Sequence, residues 1–422
     1  MAAALGVLVS CGSVKSGEEV VAASRDSKVV VAYVTSWSEV MPDPQYMTHI
    51  NYAFGHVNES FNGVKIDNEE RLRQIVDLRK QKPELKVLLS IGGWGSGRFS
   101  EMAANDEYRR AFAADCDRVV KEFALDGIDI DWEYPTSSMA NISSSPDDTE
   151  NFTLLMQDIR AAIGNEKELT LATVASARYI DFKAILPSVD FVNIMAYDMA
   201  SAPKHHSALY PSGHSGDITS DGAVTAHLKA GVPPSKLVMG MPFYGRGGDG
   251  YPSFQDYNKV GNTDTQYTEK WDEVAQVPYL ADKNDTLVFG FENPRSLAIK
   301  CQYILDKDLL GGMYWDYSGD NEQGDLRRTV AENLFGAKPH KAKVLVLTER
   351  GGQHGGFTDA GLKWLAAEGA KGNFSITEIN NARNITEAYL SQFSLVIQLD
   401  FPPYTWPKEA EDAFVKYIEE GR

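Results

Sequence analysis

The stretch Asp126-Gly127-Ile128-Asp129-Ile130-Asp131-Trp132-Glu133 decides how the chain folds around its chemistry. Side chains of a strand alternate between faces, so Asp129, Asp131 and Glu133 share one face and Ile128, Ile130 and Trp132 the other. The apolar face suits a covering layer of helices. On the acidic face three carboxylates cannot all ionise cheaply, because like-charge repulsion and desolvation raise at least one pKa. A carboxylic acid is thereby available near neutral pH. Glu133 stands at the C-terminal end of the strand, where parallel α/β folds place their active sites, and its stem reaches furthest. It is the candidate general acid, Asp131 its proton-sharing neighbour, and Asp129 the buried group that tunes the pair. A metal site or a structural carboxylate network is the competing reading, and no histidine accompanies the cluster.

Outward from this strand, short β-branched runs alternate with longer helical patterns. Strands are predicted at residues 29–37, 50–57, 86–92, 127–133, 169–176, 191–197, 236–244 and 312–316. Helical patterns fall between them, as at 68–80, 106–123, 147–163 and 221–230. Strands alternating with helices imply right-handed crossovers and a parallel sheet. Eight such units fit a (β/α)8 TIM barrel of the α/β class, spanning residues 28–338. The connection from residue 245 to about 287 is polar, with a helix pattern only at 294–305. It reads as a short insertion after the seventh strand, on the functional face. Past Phe335 a linker at 336–340 leads to a new pattern. Strands at 341–348, 374–379 and 395–399 and helices at 359–368, 385–392 and 408–420 predict a partial open α/β domain over 339–422.

The 422 residues carry a net charge of −18 without a basic block, which excludes nucleic acid or an anionic membrane surface as partner. A neutral polysaccharide is unaffected by that field. Aromatic residues make up 10% of the chain, which suits sugar stacking and core packing equally. Cys116 and Cys301 read as buried small hydrophobes. Cys11 follows an apolar run and the order Leu8-Val9-Ser10-Cys11-Gly12, similar to a bacterial lipoprotein signal. Residues 1–27 therefore read as signal and polar tether, with a possible lipid anchor at Cys11 and export to the cell envelope or medium. No cofactor or metal is expected, and the chain is expected to be a monomer.

The octapeptide resembles the D-x-x-D-x-D-x-E signature of glycoside hydrolase family 18, the chitinases. Four shorter motifs resemble the same family in order along the chain: Ser90-Ile91-Gly92-Gly93-Trp94, Met195-Ala196-Tyr197-Asp198, Met239 through Arg246, and Gly311 through Asp316. The resemblance spans the whole barrel. It implies a retaining hydrolase of β-1,4-linked N-acetylglucosamine in chitin or its oligosaccharides. It also implies substrate-assisted catalysis, an exception to the usual two-carboxylate scheme. Glu133 would protonate the glycosidic oxygen while the substrate's 2-acetamido oxygen attacks the anomeric carbon, giving an oxazolinium ion. Asp131 would bind the acetamido N–H, Tyr197 would donate to the acetamido oxygen, and Asp198 would support the distorted sugar.

By the same resemblance Trp315 forms the floor under the sugar. Tyr33, Tyr52, Phe54, Tyr134, Met195 and Tyr244 line the pocket, and Arg246 offers donors to sugar oxygens. For Tyr33, Tyr52 and Phe54 a plain core role is the alternative, and Trp94 is either a subsite platform or packing. His205, His206 and His214 read as a solvated loop without paired acids rather than a metal site. An endo-β-N-acetylglucosaminidase acting on N-glycans and a sugar-binding lectin are the alternative functions. The intact acidic set argues against the lectin. The insertion is shorter than in much of the family, which favours an open groove over a deep tunnel. Residues 343–348, 355–357 and 400–404 resemble the trehalose-utilisation (ThuA-like) domain, of glutamine-amidotransferase-like fold, with a binding or accessory role.

Overall fold

A computed structural model describes residues 28–248, 250–260, 266–334, 342–348, 355–369, 374–383, 385–399 and 406–419. Eight parallel strands follow one another around a closed barrel. They are β1 (Val29–Thr35), β2 (His49–Val57), β3 (Lys86–Gly92), β4 (Gly127–Asp131), β5 (Glu168–Val174), β6 (Phe191–Met195), β7 (Leu237–Pro242) and β8 (Gly311–Trp315). The ring closes where β1 pairs with β8 on one side, Val29 opposite Gly311, and with β2 on the other, Val31 opposite His49. All eight strands lie where the alternating pattern places them. β4 is shorter than expected, ending at Asp131, and β7 ends at Pro242 before the chain turns into the insertion.

The helices form where sequence and capping agree. In helix Asp106–Glu122 the Asn105 side chain accepts from the backbone N–H of Glu107 and Tyr108, and Asp106 and Glu107 sit in the first turn. Its buried residues Arg109, Phe112, Ala113, Cys116, Val119 and Val120 recur at the spacing of one helical face. Between strands and helices lies the main core, which includes Ile128, Ile130 and Trp132. Trp132 stacks on Phe99 with ring centroids 5.3 Å apart. The apolar face of the decisive strand therefore points to the helix layer, and the acidic face points into the barrel. Cys116 and Cys301 are buried and unpaired. Cys11 and the linker at 336–340 lie outside the described residues.

The stretch after β7, expected to be largely loop, is a small antiparallel sheet. Its strands are Gln255–Asp256, Tyr244–Gly247, Leu287–Gly290, Val277–Ala281 and Thr268–Asp272, in that spatial order. Each has five residues or fewer, too short for alternation to stand out in the sequence. Their apolar members Leu280, Val288, Phe289 and Phe291 form a separate cluster against Tyr251 and Tyr257. In the C-terminal unit β9 (Ala342–Thr348) lies between β10 (Phe374–Ile379) and β11 (Leu395–Leu399), all parallel. Helices Gly355–Gly369, Glu387–Leu390 and Lys408–Glu419 accompany them, the middle one shorter than its sequence pattern.

One buried ion pair ties the insertion to the barrel. Lys300, on helix Pro294–Asp306, pairs with Glu292, and both side chains are fully buried. Lys300 also donates to the Ser207 carbonyl at 2.5 Å, and Ser207 Oγ donates to Glu292 Oε1 at 2.6 Å. Lys300→Met should destabilise the protein by about 3–5 kcal/mol, because Glu292 is left as an unpaired buried charge. Adding Glu292→Leu should recover most of that loss in equilibrium urea unfolding.

Candidate active site

Beneath the site, Asp129 is completely buried inside the barrel. Four side chains from four strands donate to it: Tyr33 from β1 at 2.8 Å, Ser90 from β3 at 2.8 Å, Thr170 from β5 at 2.5 Å and Asn193 from β6 at 3.3 Å. Burial raises the Asp129 carboxyl, and these donors oppose the rise. Asp129 does not reach the cleft; it forms the support on which the next two acids stand.

Asp131, one step along the same face, is 4% exposed, and its Oδ1 has no hydrogen-bond partner among the described residues. Burial first, then the charges of Glu133 and Asp129, push it well above the usual carboxylate range. Glu133 is raised to about 7, chiefly by burial, with a Tyr134 hydrogen bond opposing and the Asp198 charge adding to the rise. Both carboxyls are thus raised, chiefly by burial, with charge repulsion between them adding to the rise at Asp131.

The backbone at the end of β3 permits this closeness. Gly92 has φ +132°, and a Cβ there would fall 2.0 Å from the Asp131 carbonyl oxygen. A Cβ on Gly93, at φ +91°, would lie 2.6 Å from the Phe54 ring. Only glycine lets the chain pass between the acid strand and that aromatic.

Tyr197 and Asp198 follow the end of β6, two strands along the ring from β4. The Tyr197 hydroxyl is raised well above its ordinary value, first by burial and then by Asp131 and Glu133, so it stays protonated as a donor. Asp198 behaves oppositely. Enclosure by the cleft would raise it, but the hydrogen-bonded Arg246 guanidinium and the nearby His206 ring outweigh this and hold it well below the usual range. Arg246 grips it with both fork nitrogens, Nε to Oδ1 at 2.7 Å and Nη2 to Oδ2 at 2.5 Å. Arg246 was expected to serve sugar oxygens; two of its donors are instead committed to Asp198. The cleft therefore carries two raised acids and, beside them, a firmly held anion.

These groups line a cleft of about 670 Å³. Glu133, Asp131, Tyr197, Asp198, Trp315, Tyr33, Phe54, Trp94, Tyr134, Met195, Tyr244 and Arg246 all face it. Trp315 stacks on Phe54 at 5.6 Å and meets Tyr33 at 5.6 Å, forming an aromatic floor. Trp94 is 60% exposed, as a platform would be and a core residue would not. Tyr52 is corrected: its ring is buried in the strand–helix core, and its hydroxyl donates to the Asp67 and Asn68 carbonyls. Tyr33 pairs with Asn51 and Val34 with Tyr52, so Tyr52 faces outward with Val34. The register shift between Ala53 and Gly55 turns Phe54, of the same parity as Tyr52, toward the cleft.

The histidine loop is also corrected. His205 and His206 are buried at 2% and 1% exposure. His205 Nε2 lies 3.2 Å from Asp272 Oδ2, and His206 Nδ1 lies 3.4 Å from Asp198 Oδ1. Burial pushes His205 down to about 4 against the pull of Asp272. Their acid partners are remote or on another turn of chain, so local sequence does not reveal them. Trp37, Met139, Arg178, Tyr179 and Phe254 also line the cleft and were not anticipated. Trp37 shares strand parity with Tyr33 and was accessible to that reasoning; Tyr179, stacked on Tyr134 at 5.4 Å, lies on a loop without periodicity.

An eight-stranded parallel barrel with two raised carboxyls at the mouth of an aromatic cleft is suited to the work of a glycoside hydrolase. The family model for glycosyl hydrolases family 18 matches residues 29–320. Chitinase A1 of Niallia circulans is 28% identical over 502 residues, covering 93% of this chain and 71% of that protein. Chitotriosidase-1 of Mus musculus is 31% identical, covering 70% of this chain and 74% of its own length. A family 18 N-acetylglucosaminidase structure from Paenibacillus barengoltzii superposes with TM-score 0.68 at 32% identity, covering 73% of this chain and 100% of that one. The chain belongs to glycosyl hydrolases family 18.

Raising Glu133 from 4.5 to about 7 has a stability consequence. Between those values the folded protein binds more protons than the unfolded chain, so this group's contribution falls as pH rises. Glu133→Gln removes the cost of ionising a buried acid. The variant should unfold at a higher temperature than the parent above about pH 7, and the difference should vanish below about pH 4. Calorimetry across that window checks it.

Proposed function

We propose that the protein hydrolyses β-1,4 linkages of chitin or its oligosaccharides with retention of configuration, through an oxazolinium intermediate. The observation that carries this reading is the pair of raised carboxyls, Asp131 and Glu133, lining one aromatic cleft together with the Tyr197 hydroxyl. The chitinase names of the family relatives support the choice of polymer. A sugar bound on Trp315 presents its glycosidic oxygen to Glu133, which protonates it as the bond breaks. The acetamido oxygen attacks the anomeric carbon from within the same sugar. An amide nucleophile needs positioning and charge stabilisation rather than deprotonation, and the donor Tyr197 and acceptor Asp131 supply both. Asp198, kept anionic by Arg246, supports the distorted ring. Water then opens the intermediate, giving its proton to the Glu133 carboxylate.

Residues 28–338 form the catalytic barrel in this reading, and residues 339–422 an accessory ThuA-like unit of glutamine-amidotransferase-like fold. The parallel arrangement of β9, β10 and β11 with their helices supports that assignment. Cys11 carries a lipid anchor in a bacterial envelope. Full-length protein should then partition into detergent, and Cys11→Ser should move it to the aqueous phase; two aqueous forms would remove the anchor.

Glu133→Gln should lower turnover of chitin oligosaccharides by ~10²–10⁴-fold while leaving sugar binding nearly intact. The nucleophile is tested by NMR of fresh hydrolysate. Two inversions give the β-anomer first, and oligomers lacking the acetamido group should not be cleaved. An α-anomer appearing first means that water attacks directly, and the roles of Tyr197 and Asp131 fall.

A further inference from the structure

Three consecutive residues of the loop after β6 reach three different partners. His205 meets Asp272 in the insertion at 3.2 Å, His206 meets Asp198 in the cleft at 3.4 Å, and Ser207 donates to Glu292 at 2.6 Å beside Lys300. All three are buried. The outer two fasten the backbone to the insertion from both sides of His206. The Met199 N–H donates to the His206 carbonyl at 3.1 Å, closing a loop that begins at Asp198 itself. The His206 ring packs against that of Tyr244, with centroids 5.3 Å apart. Neither of its ring nitrogens meets hydrogen-bond geometry among the described residues, so the 3.4 Å approach of Nδ1 to Asp198 is an electrostatic contact.

We propose that His206 is a positioning residue for Asp198, its Nδ1–H directed at Oδ1 and fixing the carboxylate's rotation together with Arg246. The guanidinium fork sets the plane of the Asp198 carboxylate, but an ion pair on a flexible stem can swing as a unit. A second donor on a rigid ring, held by a separate stretch of chain, stops that swing. The insertion then acts on Asp198 from two sides: through Arg246 on its strand Tyr244–Gly247, and through the loop it pins at His205 and Ser207. Displacing a group that supports the reacting sugar affects the transition state more than the ground state. This deepens the chitinase reading and rests on it for its kinetic arm alone.

The kinetic arm compares His206→Leu with His206→Gln on chitin oligosaccharides. The leucine variant should lose roughly 10- to 100-fold in kcat, as misplaced active-site groups do, while KM moves little. Glutamine, which retains an N–H donor, should restore most of kcat. Equal losses in the two variants, a loss confined to KM, or no loss overturns the proposal. The second arm needs no substrate. Nitrogen NMR of histidine-labelled protein at mildly alkaline pH, with the signal assigned by its disappearance in His206→Gln, should place the proton on Nδ1. A proton on Nε2 overturns the proposal. Absence of hydrolysis by the parent protein overturns the chitinase reading instead, and the tautomer still decides the contact.

Discussion

Three carboxylates on one face of β4 set the terms for everything around them. A buried carboxylate is tolerated only when donors surround it or when it keeps a proton. The barrel uses both solutions in sequence along a single strand. Asp129 has four donors, Asp131 has a raised pKa and an unpaired oxygen, and Glu133 reaches the cleft poised near neutrality. The donors must come from several strands at once, which only a closed barrel provides. Asp198, held as an anion by Arg246, adds its charge to the rise at Glu133.

Much of this was legible from the chain. Strand periodicity placed Asp129, Asp131 and Glu133 on one face and Ile128, Ile130 and Trp132 on the other, and the structure keeps that division. The barrel strands were visible as short apolar runs bounded by helical pattern, although the eighth, Gly311–Trp315, holds no β-branched residue. Trp37 followed the same parity as Tyr33, whereas Tyr52 and Phe54 share a parity but not a face because the register shifts between Ala53 and Gly55; face assignment is only as good as the register assumed for each strand.

What was not legible depends on contacts between distant segments. The antiparallel sheet of the insertion is built from strands too short to show a period, and its apolar residues are separated by polar turns. His205 looks solvated until Asp272, sixty-seven residues away, is folded onto it. The Arg246 fork is another such case, since a guanidinium near a cleft looks like a ligand group until its carboxylate is found. In each case a polar residue finds its partner only in three dimensions.

The four hydroxyl and amide groups around Asp129 come from β1, β3, β5 and β6, more than half the circumference of the barrel. They work as a registration pin: if one strand slips against its neighbours, a donor leaves and a buried charge is exposed to its own desolvation. Loosening of the staves and misplacement of the acid above them are thus the same event. Heat should not produce a folded barrel with a merely untidy site, because the ring cannot relax without disturbing the group it encloses.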